Sequence, residues 1–396
     1  MELRKNMNRR NRRTRPKEKG RVKTYVLRGL LVFGTVLLLL VGVVFSAVAV
    51  IAHGPSETFR DSLVQSAMQA SATKWVPGLF LSDEVVDEIL ANASRVNHEK
   101  VSFSDYKNSY VDGDLSGGSV GGDAGGAGEG DEWADAKNGM KLYTQVYPSF
   151  KAYVLLVRDP SRLYVGTSSD FSNTSIPGKD IFEIANKEGC IAAINGGEFS
   201  DSGGVGNGGE PRGVTFSQGK LVYNHATDKT FIGLDKNNRL VVRDKMTAAK
   251  AEELGIRDGV CFQTGTTENV LITNDGTEVT IHRLDGDGAR SQRTAIGQRA
   301  DGTIILLVTD GRTTSNPGAT YNDVTEIMVK FGAVTAGMLD GGSSAMMYYE
   351  NYYDVYSDRY DYEKLDVNQK KGLVNTYKAF TPPRKIPTFF CVAPER

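Results

Sequence analysis

The sequence predicts an α+β (mixed α/β) fold, with one mixed sheet flanked by helices, preceded by a single membrane-spanning helix and a stalk. Three observations carry this. Gly29 to Ala52 is a run of 24 residues without a charge, strands and helices alternate from about Met140 to the end, and the last apolar segments form a strand, helix, strand unit. At 24% charged and 40% hydrophobic over 396 residues, the chain has a globular composition, which excludes a disordered, collagenous or multi-span membrane protein.

Taken in order, residues 1–28 form a basic head with 12 Lys/Arg against 2 acids, and the rest of the chain is acidic, 46 acids against 35 bases. Bases packed against an apolar span set topology and touch anionic lipid, so the head is expected in the cytoplasm and everything after His53 outside. No nucleic-acid partner is expected of it. The run at 29–52 exceeds the usual 7 to 15 residues of a signal-peptide core, which favours an uncleaved signal anchor. Residues 53–112 read as a helical stalk, with Ser56 to Lys74 and Ser82 to Ala93 at helical spacing behind serine caps. Residues 113–139 read as a flexible linker, since Gly113 to Gly130 holds 9 glycines in 18 positions, a composition unable to bury enough surface to order itself.

Residues 140–396 read as one domain. Lys151 to Arg158 is a strand, Lys179 to Lys187 a helix and Cys190 to Asn195 a buried strand. Gly213 to Val242 is antiparallel meander, broken by turn residues such as Asn237-Asn238. Thr303 to Val308 is a strand, Asn322 to Phe331 a helix capped by Asn322, and Val334 to Leu339 another strand. A crossover helix makes its two strands run parallel, so both end on one sheet edge. One ends in Asp310-Gly311-Arg312, the other in Asp340-Gly341-Gly342-Ser343-Ser344, and a third strand ends in Asn195-Gly196-Gly197-Glu198. Ligands bind beyond such ends, and the glycines would let one approach the backbone.

Arg212, Arg293 and Arg312 add three guanidiniums to the carboxylates, a set suited to a phosphorylated substrate because the planar fork pairs with phosphate oxygens. Each Asp-Gly or Asn-Gly pair is equally ordinary turn chemistry, and a structural ion-pair network is the bland alternative. Four histidines and three cysteines (Cys190, Cys261, Cys391) show no zinc spacing, so buried free thiols and no metal or cofactor are expected. The tyrosines from Tyr348 to Tyr362 suit either sugar stacking or core packing.

These same residues resemble the phosphodiester glycosidase family, found in bacterial exopolysaccharide-associated proteins and in the enzyme that uncovers mannose 6-phosphate. The resemblance runs from about Lys151 to Val392, through Ala192-Ala193-Ile194-Asn195-Gly196-Gly197, Arg212-Gly213, Arg293-Thr294-Ala295-Ile296-Gly297, Asp310-Gly311-Arg312 and Leu339-Asp340-Gly341-Gly342-Ser343-Ser344. It departs at Glu198, where an aromatic often follows the glycines, and at Gln292, where proline commonly precedes the Arg-Thr pair. It implies a hydrolase that frees a sugar from a 1-phosphodiester. Asp310, Asp340 and Glu198 would then be the catalytic carboxylates, while Asn195, Gly196, Gly197, Arg212, Arg293, Thr294, Arg312, Gly341, Gly342 and Ser343 would bind a phosphorylated glycan. A non-catalytic surface module binding anionic glycan, and transfer to another acceptor, remain open alternatives.

Overall fold

The uncharged run is helical, the form in which an apolar segment satisfies its own backbone hydrogen bonds. α1 spans Glu18–His53, and its 29-residue stretch Tyr25–His53, with a window of mean hydropathy 2.8, is long and apolar enough to cross a membrane. At 1.5 Å per residue it exceeds the roughly 30 Å of a bilayer core. The computed structural model describes residues 18–69, 73–111, 133, 136–201, 206–225, 229–264, 269–285, 289–313, 315–355, 357, 360–377 and 382–395. Most of the glycine-rich segment lies outside them. The chain falls into two units, Met1–Leu63 and Val64–Arg396.

The elements that follow are α2 (Glu57–Gln69), α3 (Asp83–Ala93), β1 (Val96–Ser102), α4 (Phe103–Val111), β2 (Met140–Val146), β3 (Lys151–Val157), β4 (Leu163–Thr167), α5 (Ile181–Glu188) and β5 (Ala192–Asn195). A meander comes next, with β6 (Thr215–Ser217), β7 (Lys220–Tyr223), β8 (Lys229–Asp235), β9 (Leu240–Arg243), α6 (Ala248–Glu253) and β10 (Ile256–Thr264). The chain then forms β11 (Val270–Asn274), β12 (Glu278–Leu284), β13 (Thr294–Arg299), β14 (Ile304–Thr309), α7 (Tyr321–Lys330), β15 (Ala333–Leu339), β16 (Met347–Tyr349), α8 (Tyr352–Val355) and β17 (Thr388–Val392).

Three sheets result: eight strands in the order β1-β12-β11-β15-β13-β14-β3-β2, five in the order β7-β6-β10-β8-β9, and four in the order β16-β5-β17-β4. The α+β class holds, but the expected mixed sheet does not. The strand pairs described are antiparallel, because β13 is interposed between β14 and β15 and runs against both. β14 and β15 still point the same way, so their carboxyl ends share an edge. The start of β13 lies between those ends, with Thr294 opposite both Val308 and Leu339.

The large sheet is covered on both faces. A Cβ added at Gly297 would meet Met328 of α7 at 2.9 Å, and one added at Gly337 would meet Ile232 and Val242 at 3.0 Å. Gly297 pairs with Ala336, the neighbour of Gly337, so the alternation of side chains puts α7 and the five-stranded sheet on opposite faces. Continuous apolar strands such as Ile304–Thr309, fully buried along their length, are the sequence consequence of two covered faces.

Two further expectations change. The helix after β14 is capped by Thr320, which forms a reciprocal capping box with Asp323, while Asn322 bonds the backbone of Leu284 instead. The segment expected to be wholly helical stalk contributes β1, which pairs with β12 over seven residues, and α4, whose Tyr106 is buried and donates to the Ala333 carbonyl at 2.8 Å. β1 and β2 are therefore opposite edges of one sheet, and the glycine-rich segment connects them within a single folded unit.

Candidate active site

Asn195 ends β5 fully buried, and its side chain joins three elements. Its Nδ2 donates to the Asp340 carbonyl at 2.6 Å, while its Oδ1 accepts from Thr294 Oγ1 at 2.8 Å and from the Met346 N–H at 3.2 Å. The Asp340 N–H returns a bond to the Gly196 carbonyl at 3.2 Å. The ends of β5, β13 and β15 are thereby stitched together, and the four-stranded sheet is tied to the eight-stranded one at this point. Asn195 and Thr294 have spent their polar atoms on this frame.

Asp310 follows β14 at 3% exposure. Its Oδ2 accepts from Tyr153 Oη at 3.1 Å and its Oδ1 from the Thr376 N–H at 2.9 Å. Burial lifts its carboxyl to about 6, against the pull of these two donors and of nearby Lys151. The Tyr153 phenol is itself pushed well up by burial and by Asp310, so it stays protonated and remains a donor. Asp340, at the end of β15, is lifted to about 7, again chiefly by burial. The Ser344 hydroxyl, Arg384 and the Gly341 N–H draw it down, and Glu198 raises it. Both aspartates thus sit far above the ordinary carboxyl range at adjacent strand ends.

The arginines separate into engaged and free. The Arg293 guanidinium donates to the carbonyls of Ala289 and Ala319, and Arg212 donates to Ser200 Oγ at 3.1 Å. Arg312 has a left-handed backbone (φ +57°), and its guanidinium lies 3.5 Å from where a Gly342 Cβ would stand. It makes no side-chain hydrogen bond or ion pair among the described residues. Asp310, Arg312 and Ser343 line one cavity of about 550 Å³ with Lys151, Gln292, Tyr147 and Thr376. Neither Asp340 nor Glu198 is among its lining residues; Glu198, close enough to Asp340 to raise its carboxyl, accepts at Oε2 from Lys229 Nζ at 2.9 Å and from the Gln263 N–H at 3.0 Å.

The glycines at the strand ends also answer to packing. A Cβ at Gly196 would stand 2.7 Å from the Thr388 carbonyl, at Gly197 2.3 Å from the Cys261 carbonyl, and at Gly341 2.7 Å from the Gln292 carbonyl. Each makes room for a neighbouring backbone carbonyl. Gly342 is the exception, needed for its φ of +60°. The tyrosines also resolve: Tyr349, Tyr352 and Tyr353 are buried and pack with Tyr360, so they belong to the core. The three cysteines are buried and unbridged.

Sequence reasoning missed Tyr153, Thr376, Lys151 and Arg384. Arg384 donates to Ser343 Oγ at 3.0 Å, pairs with Asp201 at 2.5 Å and lies over the Phe199 ring. Nothing in its Pro382-Pro383-Arg384-Lys385 context marks it.

Asp310 and Asp340, both raised by burial, thus stand with the unengaged Arg312 guanidinium at neighbouring strand ends of an antiparallel sheet. The chain belongs to the phosphodiester glycosidase family, whose model matches residues 188–393. It is similar to the catalytic domain of zebrafish N-acetylglucosamine-1-phosphodiester alpha-N-acetylglucosaminidase, auto-inhibited by its pro-peptide, at 18% identity and TM-score 0.45 over 64% of this chain and 82% of that one. A putative exported protein from Burkholderia pseudomallei is 15% identical, TM-score 0.40, over 62% and 74%. A hypothetical protein from Synechocystis is 14% identical, TM-score 0.35, over 65% and 62%. Among curated relatives, the uncharacterized SPbeta prophage-derived protein YomE of Bacillus subtilis is 39% identical over 61 residues, 15% of this chain and a span of only 10% of that protein's length.

Proposed function

We propose that this protein is a membrane-anchored extracellular hydrolase that cleaves sugar 1-phosphodiesters at the glycosidic C–O bond, acting on exopolysaccharide or cell-wall glycan. The observation that carries this is the pairing of Asp310 and Asp340, both raised by burial, with the unengaged Arg312 guanidinium beside the loop that follows Asp340. Water adds to the anomeric carbon, the bond from that carbon to the phosphate oxygen breaks with its electron pair going to the phosphate, and the water proton passes to a carboxylate.

The departing phosphomonoester is a weak base, so the site needs little acid assistance and no histidine. Arg312 holds the phosphate by its fork. Asp310, ionised in most molecules at neutral pH, stabilises positive charge at the anomeric carbon, and Asp340, titrating near neutrality, handles the proton. Glu198, neutralised by Lys229, holds the 196–199 loop against β10. Asn195, Thr294 and Arg293 position the strand ends.

The test is to incubate the full-length chain in detergent with N-acetylglucosaminyl and glucosyl 1-phosphodiesters of both anomers, watching for released sugar. N-acetylglucosamine 1-phosphodiester, the substrate in the zebrafish protein's name, is the first probe. Asp310→Asn and Asp340→Asn should each lower turnover about 100-fold or more. Tight binding without release in the wild type would replace this reading with a glycan-binding module. External protease on intact cells should remove the domain and spare the basic head; protection of the domain would refute the topology.

A further inference from the structure

The cavity beside Asp310 contains a second cation that the hydrolytic scheme above does not use. Lys151 opens β3, and its carbonyl accepts the Asp310 N–H at 2.9 Å, which fixes it next to that carboxylate on the neighbouring strand. Lys151 lines the same cavity as Arg312. Both residues are exposed, and neither side chain makes a hydrogen bond or ion pair among the described residues. Unpaired cations facing one cavity next to a carboxylate are matched to an anion. A phosphodiester carries one negative charge, and breaking the bond to the anomeric carbon makes it a phosphomonoester, which carries close to two at neutral pH because its second ionisation lies near 6.

We infer that Lys151 is a further catalytic residue, one that binds the leaving phosphate and takes up the second negative charge appearing there as the glycosidic bond breaks. This rests on the proposed hydrolysis. Arg312 alone balances the substrate's single charge, so Lys151 contributes most where charge has developed, which raises kcat more than it tightens substrate binding. The site as a whole then prefers the product dianion to the substrate monoanion, and phosphomonoesters inhibit.

Lys151→Met tests this in the full-length chain, with an unchanged melting temperature expected because no partner is lost. On a glycosyl methyl phosphodiester, kcat should fall about tenfold or more while KM changes less than about threefold. Lys151→Arg should restore most of the loss. Calorimetry at pH 8 supplies an arm independent of turnover: the wild type should bind methyl phosphate, a dianion, about tenfold more tightly than dimethyl phosphate, a monoanion, and Lys151→Met should lose that preference. Undiminished kcat in the variant, or equal affinity of the wild type for the two phosphates, overturns the role of Lys151. Dianion preference through Lys151 with no hydrolysis of any glycosyl phosphodiester keeps the anion site and sinks the hydrolase reading instead.

Discussion

Asp310→Asn should stabilise the fold while removing activity, and the size of the gain follows from the site. Asp310 is 3% exposed and its carboxyl is raised from 3.8 to about 6 by burial. A folded-state value above the unfolded one means that the native state holds its proton more tightly. Stability from this group is therefore complete below about pH 4 and is lost as pH rises to about 6. At 1.36 kcal/mol per tenfold, the loss is about 3 kcal/mol at pH 8. An amide removes the charge and keeps the geometry, since its oxygen can accept from the Thr376 N–H and its NH₂ can donate to a rotated Tyr153 hydroxyl. The variant should melt about 5 °C higher than wild type at pH 8 and no higher at pH 4. Thermal unfolding of the full-length chain in detergent, followed by intrinsic fluorescence at both pH values, reads this directly. A gain that is absent at pH 8, or equal at the two pH values, would refute the claim that the carboxylate is held ionised at a cost.

Asn195→Ala removes three hydrogen bonds, which tie β5 to the ends of β13 and β15 and to Met346 before β16, leaves the Thr294 hydroxyl buried without its acceptor, and should cost about 2 to 4 kcal/mol by denaturant titration as well as most activity. Gly197→Ala places a carbon 2.3 Å from the Cys261 carbonyl and should prevent folding, whereas Gly342→Ala meets nothing closer than 3.5 Å and should cost only about 1 kcal/mol of left-handed strain in the same titration. Arg293→Lys should lower the melting temperature by a few degrees and leave KM unchanged, because its guanidinium binds two backbone carbonyls.

Much of the domain was legible wherever the information is local. The β14, α7, β15 unit is read from its apolar strands, and the capping box at Thr320 and Asp323 was present in the sequence as a Thr-x-x-Asp pattern, passed over for Asn322. What sequence could not show is non-local pairing. β13 is an apolar strand like its neighbours, and nothing in Thr294-Ala295-Ile296 says that it inserts between two strands joined by a crossover. β1, reading Val96-Asn97-His98-Glu99, is an edge strand whose side chains are largely exposed, so it lacks the alternation that marks a half-buried one.

The candidate site shows why residue type alone overestimates a ligand pocket. Three arginines and the glycines near strand ends look alike in sequence, yet most are distinguished by what a distant segment brings beside them. Ala289 and Ala319 present carbonyls that occupy Arg293, Ser200 occupies Arg212, and Lys229 neutralises Glu198. Of these three arginines, Arg312 has no side-chain hydrogen bond or ion pair among the described residues and lies beside the loop after Asp340. The glycines at 196, 197 and 341 are demanded by backbone carbonyls arriving from β17, from β10 and from the residue before Arg293. A site on a multi-sheet frame needs strand ends locked together before any group can face a substrate, and the polar residues that lock them outnumber those left to do chemistry. The sequence pattern marks the whole set; Asp310, Asp340, Arg312 and Lys151 are charges at this edge that no ion pair among the described residues neutralises.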